Sequence, residues 1–382
     1  MRILNGIFIT LFIAMLTLPL VFVDLSSDRV SVNENRMLAN RPRLADIKNH
    51  PGTFVREFDA WFRDSTGFRE RLVALYNVMG ANRWLNGIRY TEGQIVYLIG
   101  ESGHIFCSGW EGFSLIEKFQ GKQFLTDDQL TNMANKLEEV KTYLDKKGIP
   151  LIVMFCADKE SIYPEFYPKS IKRGPEPIQL DVITSYLQEK TNVDIFNIRQ
   201  ALLTEKNDFL LYNKIDTKSF TYRFIHYNEI GAFFAYRELM KHINIYLPEL
   251  TSYGLEDVDL HYGEKGEPYV SLKTDIVYKR HDASFFDDIN VARPFTWENV
   301  VYENTDSDLP VILFLCDSYS AEYYIGKYFA NQFGKTIMIH YSNINKIEEY
   351  IEKFKPDIIV FESAERELRV FANYVAGIPK LP

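Results

Sequence analysis

From about residue 126 the chain alternates two patterns of apolar and polar positions, and this alternation predicts the fold class. Apolar stripes with helical spacing are followed by short runs that are almost wholly apolar, such as Leu151 to Phe155 and Pro310 to Leu315. The stripes are typical of amphipathic helices and the runs of buried strands. Together they indicate a parallel, doubly wound sheet, in which ligands bind at the carboxyl ends of strands. Ser318, Asp158 and Arg366 each follow a predicted strand.

The limits of several elements are marked by ordinary start and stop signals. Thr126 and Gln129 form a capping-box pair at the start of a helix that Gly148 closes. The same patterns predict further helices over about 180–190, 228–245, 321–332 and 346–354, and further strands over 193–196, 336–340 and 358–361.

Two parts of the chain depart from the alternation. Residues 253–308 are charged and contain short β-type runs without a helical period, which predicts an inserted β-rich subdomain. Residues 31–110 include a predicted strand hairpin and form a segment that we expect to pack on the core. The α/β domain is therefore predicted over residues 111–382, and residues 1–30 remain for an anchor and a linker.

The N-terminal segment predicts a membrane location. Ile3 to Val23 is almost wholly apolar and just long enough to span a bilayer as a helix. Arg2 precedes it and Asp24 follows it, which favours a cytoplasmic N-terminus and an extracytoplasmic domain, periplasmic or at the cell surface. A cleaved signal peptide is the alternative, but Leu20 to Val23 lacks the small residues of a cleavage site. We therefore predict an uncleaved single-pass anchor.

Composition excludes several classes of function. The 382 residues carry a formal net charge of -9, which argues against nucleic acid as a partner. The three cysteines lack metal-ligand or disulfide-framework spacing, and there is no Gly-rich phosphate loop, so no metal or cofactor is expected. Aromatic residues make up 15% of the chain, which suits a carbohydrate-handling protein and an ordinary core equally well.

Ser318 and His226 are the candidates for nucleophilic chemistry. Ser318 lies on a strand-to-helix turn, which can present a nucleophile, although a serine at this place is also an ordinary helix N-cap. A serine nucleophile needs a base, and His226 stands just before a long helix with Asn228 as its cap. His340, at the end of a strand, is the second candidate among seven histidines.

These residues belong to blocks that resemble the AlgJ/AlgX-like family of SGNH-hydrolase-like proteins. The family's His-Trp-Asn-x-x-Gly-Ala and Gly-Asp-Ser-Tyr-Ser blocks are similar to the segments that begin at His226 and Cys316. Other similar blocks occur in the same order along most of the chain, at Glu34–Arg36, Trp61–Arg69, Ile99–Phe106, Asp158–Glu165 and Lys355–Arg366.

The resemblance implies roles for individual residues. Ser318 would be the nucleophile and His226 the base. The family places an Asp two residues before the His, where this chain has Phe224. An Asp-Thr pair occurs upstream, so Asp216 is either the third member of the triad or a surface residue. Supporting or substrate-binding positions are Tyr319, Asp158, Lys159 and Arg366.

The resemblance also implies an activity. Proteins of this family O-acetylate exported polysaccharides through an acetyl-serine, with acetyl groups delivered by a membrane-bound O-acyltransferase. The backbone N–H groups of Ser318 and Tyr319 would then hold the oxyanion. Two alternatives stay open: an acetylesterase of polysaccharide or peptidoglycan, and a non-catalytic subunit of an export complex.

Overall fold

A seven-stranded sheet forms the centre of the molecule. The computed structural model describes residues 2–26, 30–31, 36–43, 47, 51–68, 89–92, 95–110, 113–122, 124–214, 225–262, 268–281, 299–321 and 325–381. The strands, numbered along the chain, are β1 (Val30–Ser31), β2 (Arg36–Met37), β3 (Arg89–Glu92), β4 (Ile95–Ile99), β5 (Ile105–Trp110), β6 (Phe113–Ser114), β7 (Leu151–Cys156), β8 (Asp194–Asn197), β9 (Val258–Tyr262), β10 (Pro268–Leu272), β11 (Tyr278–His281), β12 (Val300–Asn304), β13 (Val311–Cys316), β14 (Lys335–His340) and β15 (Ile358–Ala364).

The helices predicted over 180–190, 228–245 and 346–354 are present with ends shifted by at most one residue. The range 321–332, predicted as one helix, contains the end of a helix that begins at Ser318 and a second helix that ends at Ala330, with residues 322–324 outside the described residues. The helix bounds are Arg2–Val21, Pro51–Ser65, Ile116–Phe119, Asp127–Asp145, Lys159–Ile162, Gln179–Lys190, Arg199–Glu205, Glu229–Tyr246, Ser318–Ala321, Ile325–Ala330, Ile347–Phe354 and Leu368–Ala376. The predicted capping box is present, since the Thr126 side chain accepts a hydrogen bond from the Gln129 N–H and the Gln129 side chain accepts one from the Thr126 N–H.

The central sheet is mixed, which corrects the prediction of a purely parallel one. Its strand order is β11-β12-β14-β13-β15-β7-β8. The five strands from β14 to β8 are parallel, as the alternation of helices and strands predicts. Strands β12 and β11 extend the sheet in antiparallel orientation along the free edge of β14. Because these two strands come from the region predicted as an insertion, part of that region completes the central sheet.

Helices cover the sheet in two groups and bury its central strands. Helix Asp127–Asp145 packs with Gln179–Lys190 and with Leu368–Ala376, whereas Glu229–Tyr246 packs with Ile325–Ala330. The side chains of β7 and β15 are buried along their whole length, which agrees with the apolar runs that predicted them.

Three smaller sheets accompany the central one among the described residues, and the smallest is the antiparallel pair of β1 and β2. Strands β9 and β10 form an antiparallel hairpin that packs on the helix Glu229–Tyr246. Strands β3 to β6 form a four-stranded antiparallel sheet. Its β4–β5 connection is the hairpin that the sequence predicts, with Gly103 at a φ of 81° in the turn. The domain boundaries themselves stay a prediction.

The first helix, Arg2–Val21, covers most of the predicted anchor. Among the residues that the structure describes, no helix has both the length and the apolar character needed to cross a bilayer. The structure therefore gives the predicted anchor no support.

Candidate active site

Ser318 lies at the carboxyl end of the central strand β13, where the sheet is deeply buried. Asp317 braces the turn: its carboxylate accepts hydrogen bonds from the N–H of Tyr319 at 2.9 Å and from the N–H of Ala364 at 2.7 Å. Ser318 is the first residue of the helix that follows. The Asp317 carboxylate accepts the N–H of Tyr319 at the start of this helix. The Ser318 hydroxyl is therefore not needed as the helix cap and makes a different contact.

That contact is His226, which the fold brings to the serine across 92 positions of sequence. The Nε2 atom of His226 lies 2.9 Å from the Oγ of Ser318. This is the distance at which an imidazole can take a hydroxyl proton. His226 is 7% exposed and Ser318 is half-buried, so the base is largely shielded from bulk water and the hydroxyl is partly exposed.

The loop that carries His226 is held by its neighbours. Asn228 caps the helix Glu229–Tyr246, and its side chain accepts hydrogen bonds from the N–H groups of Ile230 and Gly231 at 3.0 Å each. The Asn228 N–H donates to the carbonyl oxygen of Leu211 at 2.9 Å. His226 therefore stands on an anchored turn, as the position before a capped helix suggests.

Arg366 joins His226 to a buried carboxylate. Its Nη2 lies 3.0 Å from Nε2 of His226, and its Nη1 donates to Asp158 Oδ1 at 2.6 Å. The same Nη1 donates to the Tyr319 hydroxyl at 3.0 Å. The Tyr319 hydroxyl in turn donates to the carbonyl oxygen of Ile225 at 2.9 Å, next to the histidine.

A second buried cation stands behind this group. The Nζ of Lys118 lies 2.7 Å from Asp158 Oδ2, and 3.1 Å from a carboxylate oxygen of each of Glu160 and Glu365. Lys118, Asp158, Glu160, Glu365 and Arg366 are all buried. The cluster sets two cations against three buried carboxylates, so each carboxylate lies beside a cation, and loss of either cation would leave buried negative charge unpaired.

Burial and these neighbours set the protonation states at the site. Burial, aided by the Arg366 cation, holds the pKa of His226 well below its ordinary value, so the imidazole is neutral. Burial alone would raise the pKa of Asp158, but Lys118 and Arg366 together lower it. Asp158 is therefore an anion, and His226 is in the state required of a base.

The structure brings together five of the seven residues predicted for the site. Ser318 and His226 are in contact, and Tyr319, Asp158 and Arg366 surround them. Lys159 points elsewhere: its Nζ donates to the carbonyl oxygen of Asn213 at 2.7 Å. Asp216 lies outside the described residues, as does Phe224, which stands at the family's acid position.

Two further expectations are settled by the hydrogen bonds. The Tyr319 N–H donates to Asp317, so the predicted pair of oxyanion donors is reduced to the N–H of Ser318. His340 accepts a hydrogen bond at Nδ1 from the Ser342 N–H at 3.2 Å, and its side chain caps the helical segment that begins at Tyr341. Its contacts make it a capping residue, whereas His226 contacts the serine.

No metal centre accompanies the pair within the described ranges, where no group of three or more His, Cys, Asp or Glu side chains could hold an ion. The thiols are not alternative nucleophiles. Cys316 is buried within β13, and burial raises the pKa of Cys156, on β7, well above its ordinary value.

Several members of the site carried no signal in the sequence. Lys118 belongs to none of the blocks that the sequence singled out, and Glu160 and Glu365 lie within such blocks but were assigned no role. Asp317 stands directly before the serine. Its carboxylate accepts a hydrogen bond from the N–H of Ala364, at the end of β15, which is distant in the sequence.

Similarity to known proteins agrees with this geometry. Residues 118–273 match the family model described as the SGNH hydrolase-like domain of the acetyltransferase AlgX. The AlgX-like resemblance is confirmed. The matched residues include His226, Asp158 and Lys118, and they end before Ser318 and Arg366. No curated protein matches the chain.

Comparison with solved structures shows a protein of similar fold. PatB1 of Bacillus cereus, solved with a sulfonyl adduct, has a TM-score of 0.51 and 12% identity, over 74% of this chain and 97% of its own. The O-acetyltransferase domain of Pseudomonas putida AlgJ scores 0.42 at 14% identity, over 73% and 98%. Pseudomonas aeruginosa AlgX scores 0.39 at 12% identity, over 76% and 65%. At this identity the likeness to PatB1 shows the fold alone.

Proposed function

We propose that the protein is an O-acetyltransferase that acts on an exported or cell-surface polysaccharide through an acetyl-serine intermediate. The observation that carries the proposal is the 2.9 Å contact between Ser318 Oγ and Nε2 of a neutral, buried His226. The match to an acetyltransferase family model supports the choice of an acetyl group.

The first half of the reaction loads the serine. Nε2 of His226 takes the hydroxyl proton of Ser318 as Oγ attacks the carbonyl carbon of the acetyl donor. The N–H of Ser318 would stabilise the oxyanion that forms. When the bond to the donor's leaving group breaks, the leaving group takes the proton from His226, and the acetyl group remains on Oγ.

The second half transfers the acetyl group. His226 takes the proton of a sugar hydroxyl, whose oxygen attacks the acetyl-serine carbonyl. Collapse of the intermediate releases the acetylated sugar, and Ser318 recovers its proton from His226. With water in place of the sugar the same steps would release acetate.

The location and the donor are part of the proposal. The apolar sequence from Ile3 to Val23 and the family resemblance support an extracytoplasmic domain beside the membrane. There a membrane-bound O-acyltransferase would supply the acetyl group. The protein, which carries a net negative charge, would act on the polysaccharide as it is exported.

An acetyl-transfer assay tests the proposal. The full chain is incubated with 4-nitrophenyl acetate, with and without alginate oligomers or chito-oligosaccharides. The oligosaccharide and free acetate are then quantified by mass spectrometry. We expect acetylated oligosaccharide from the wild type, and a signal at the level of the uncatalysed reaction from Ser318→Ala.

Each outcome separates one class of function from the others. Free acetate that forms at the same rate with and without the sugar would identify an esterase. Neither product would leave a non-catalytic subunit. Ser342→Ala, which removes a partly buried hydroxyl next to His340, is the matched control and should keep the activity of the wild type.

A further inference from the structure

Arg366 and His226 make a hydrogen bond whose direction is fixed by chemistry. A guanidinium group carries five N–H donors and no acceptor. Its Nη2 lies 3.0 Å from Nε2 of His226, so that ring nitrogen must accept. Ser318 Oγ approaches the same nitrogen at 2.9 Å.

We infer that Arg366 fixes the tautomer of His226, holding Nε2 unprotonated and the proton on Nδ1. In a serine triad this orientation is the task of the carboxylate that binds the other ring nitrogen. Here a cation secures the same tautomer from the serine side. The inference deepens the proposed function, since the tautomer matters for catalysis only if Ser318 is the nucleophile.

The orientation of the Ser318 hydroxyl follows directly. Because Nε2 carries no proton, it cannot donate to Ser318 Oγ, and the O–H of Ser318 shares the single lone pair of Nε2 with Arg366. Arg366 is a positioning residue in this arrangement. The hydrogen bond from Nη2 is lost when Nε2 takes the serine proton, because a protonated Nε2 can no longer accept.

Arg366 is itself held in place by contacts that leave it little freedom. Nη1 donates to Asp158 at 2.6 Å, to the Tyr319 hydroxyl at 3.0 Å and to the carbonyl oxygen of Ile225 at 3.2 Å. The guanidinium carbon also lies 4.8 Å from the centroid of the Tyr319 ring. The guanidinium therefore keeps one direction, and Nη2 is the group left to face the histidine.

The surroundings of the ring agree with a neutral histidine. Arg366 faces it from the C-terminal segment and Tyr319 from the helix after β13, with ring centroids 4.7 Å apart. Asp158, after β7, is linked to the ring through Arg366 and through the hydroxyl of Tyr319. Among the described residues, the charge that acts on the ring is that of the Arg366 cation, which opposes protonation of the imidazole and strengthens the preference for a neutral Nε2 acceptor.

Nitrogen-15 NMR of the full chain labelled at histidine tests the inference without any turnover. Long-range ¹H–¹⁵N correlations distinguish the two neutral tautomers, and His226 is assigned by the signal lost in His226→Gln. We expect the Nδ1–H tautomer at pH 8 and still at pH 6, because the pKa of His226 lies well below its ordinary value of 6.5. A neutral Nε2–H tautomer, or an imidazolium at pH 6, would overturn the inference.

Two variants separate positioning from mere support of the fold. Arg366→Met together with Asp158→Asn removes the donor and the carboxylate that it neutralises, and should bring the Nε2–H form into the spectrum and raise the pKa of His226. Arg369→Gln, which loses the hydrogen bonds to the carbonyl oxygen of Phe124, is the matched control and should leave the His226 signals unchanged. An unchanged tautomer and pKa in the folded double variant would also overturn the inference. Failure of the acetyl-transfer assay alone would count against the proposed function and leave the tautomer result intact.

Discussion

Lys118 is the residue on which the buried charges behind the active site depend. It contacts Asp158, Glu160 and Glu365 within 3.1 Å, and its side chain is 3% exposed. Burial alone would lower the pKa of Lys118, but the three carboxylates raise it well above its ordinary value. Lys118 is therefore a permanent cation that keeps Asp158 ionised for Arg366.

Removing this cation should destabilise the protein strongly. Lys118→Met would leave three buried carboxylates with one cation, and loss of one partner of a buried ion pair costs about 3–5 kcal/mol. The free energy of unfolding in urea measures the effect. Lys122→Met is the matched control, because its contact with Glu117 is exposed and such pairs contribute about 0–1 kcal/mol. Equal losses in the two variants would contradict the role given to Lys118.

Most of the residues that make contact at the site could be predicted, but their geometry could not. Ser318 and His226 were indicated by a strand-to-helix turn and by a helix start, both of which are local signals. Lys118 had no such signal, because its partners are 40 or more positions away in the chain. The bond from Arg366 to His226 likewise depends on the packing of β15 against β13 and β7.

At the level of elements, backbone contacts with Leu211 and Tyr212 place the residues around His226. Tyr212 pairs with Tyr227 in an isolated bridge, and Leu211 accepts the N–H of Asn228. Gly231 makes this approach possible, since a Cβ there would lie 2.6 Å from the carbonyl oxygen of Leu211. The Gly in the His226 block is thus explained by close backbone contact.

Gly231→Ala should therefore weaken both the fold and the site. Overpacking of this kind costs about 1–3 kcal/mol, which exceeds the roughly 1 kcal/mol that alanine gains over glycine in a helix. The free energy of unfolding in urea and the rate at which a sulfonyl fluoride labels Ser318 measure the two effects, and both quantities should fall. Gly52→Ala, in the helix Pro51–Ser65 with no atom within 4 Å of the added Cβ, should cause no loss. An equally stable and equally reactive Gly231→Ala protein would refute this explanation of the glycine.

At the level of the whole molecule, local patterns predicted the parallel strands but not the edge of the sheet. The apolar runs and the Thr126 capping box fix helices and strands through neighbouring residues. Strand β12 joins the sheet by pairing with β14, about 35 positions further along the chain. Short half-exposed strands carry no information about their partner, so the mixed sheet emerged only from the structure.

Buried carboxylates also make the stability of the whole molecule depend on pH. Burial raises the pKa of Glu160 to about 7, helped by Asp158 and Glu365 and opposed by Lys118. Between the ordinary pKa of 4.5 and about 7, the folded protein binds this proton more tightly than the unfolded chain does. The contribution of Glu160 to stability is therefore fully present below pH 4.5 and is lost as the pH rises to about 7.

Glu160→Gln should remove the loss of stability that Glu160 causes between pH 4.5 and about 7. Each unit of pKa difference corresponds to about 1.4 kcal/mol, so the variant should gain a few kcal/mol relative to the wild type between pH 4.5 and 7. Urea unfolding across this range measures the difference. Glu165→Gln, which changes a half-exposed carboxylate that contacts Lys206, is the control and should show a smaller change. A Glu160→Gln curve parallel to that of the wild type would contradict the raised pKa.

Peptide mass spectrometry after a rapid acid quench would reveal whether Ser318 carries the acetyl group. The full chain is mixed with 4-nitrophenyl acetate, quenched, digested, and searched for acetylated peptides. We expect an acetyl group on Ser318 that disappears when an acceptor oligosaccharide is added before the quench, and that is absent from His226→Gln. Turnover of the ester by the wild type with no acetyl group on Ser318, or with equal turnover by Ser318→Ala, would contradict it.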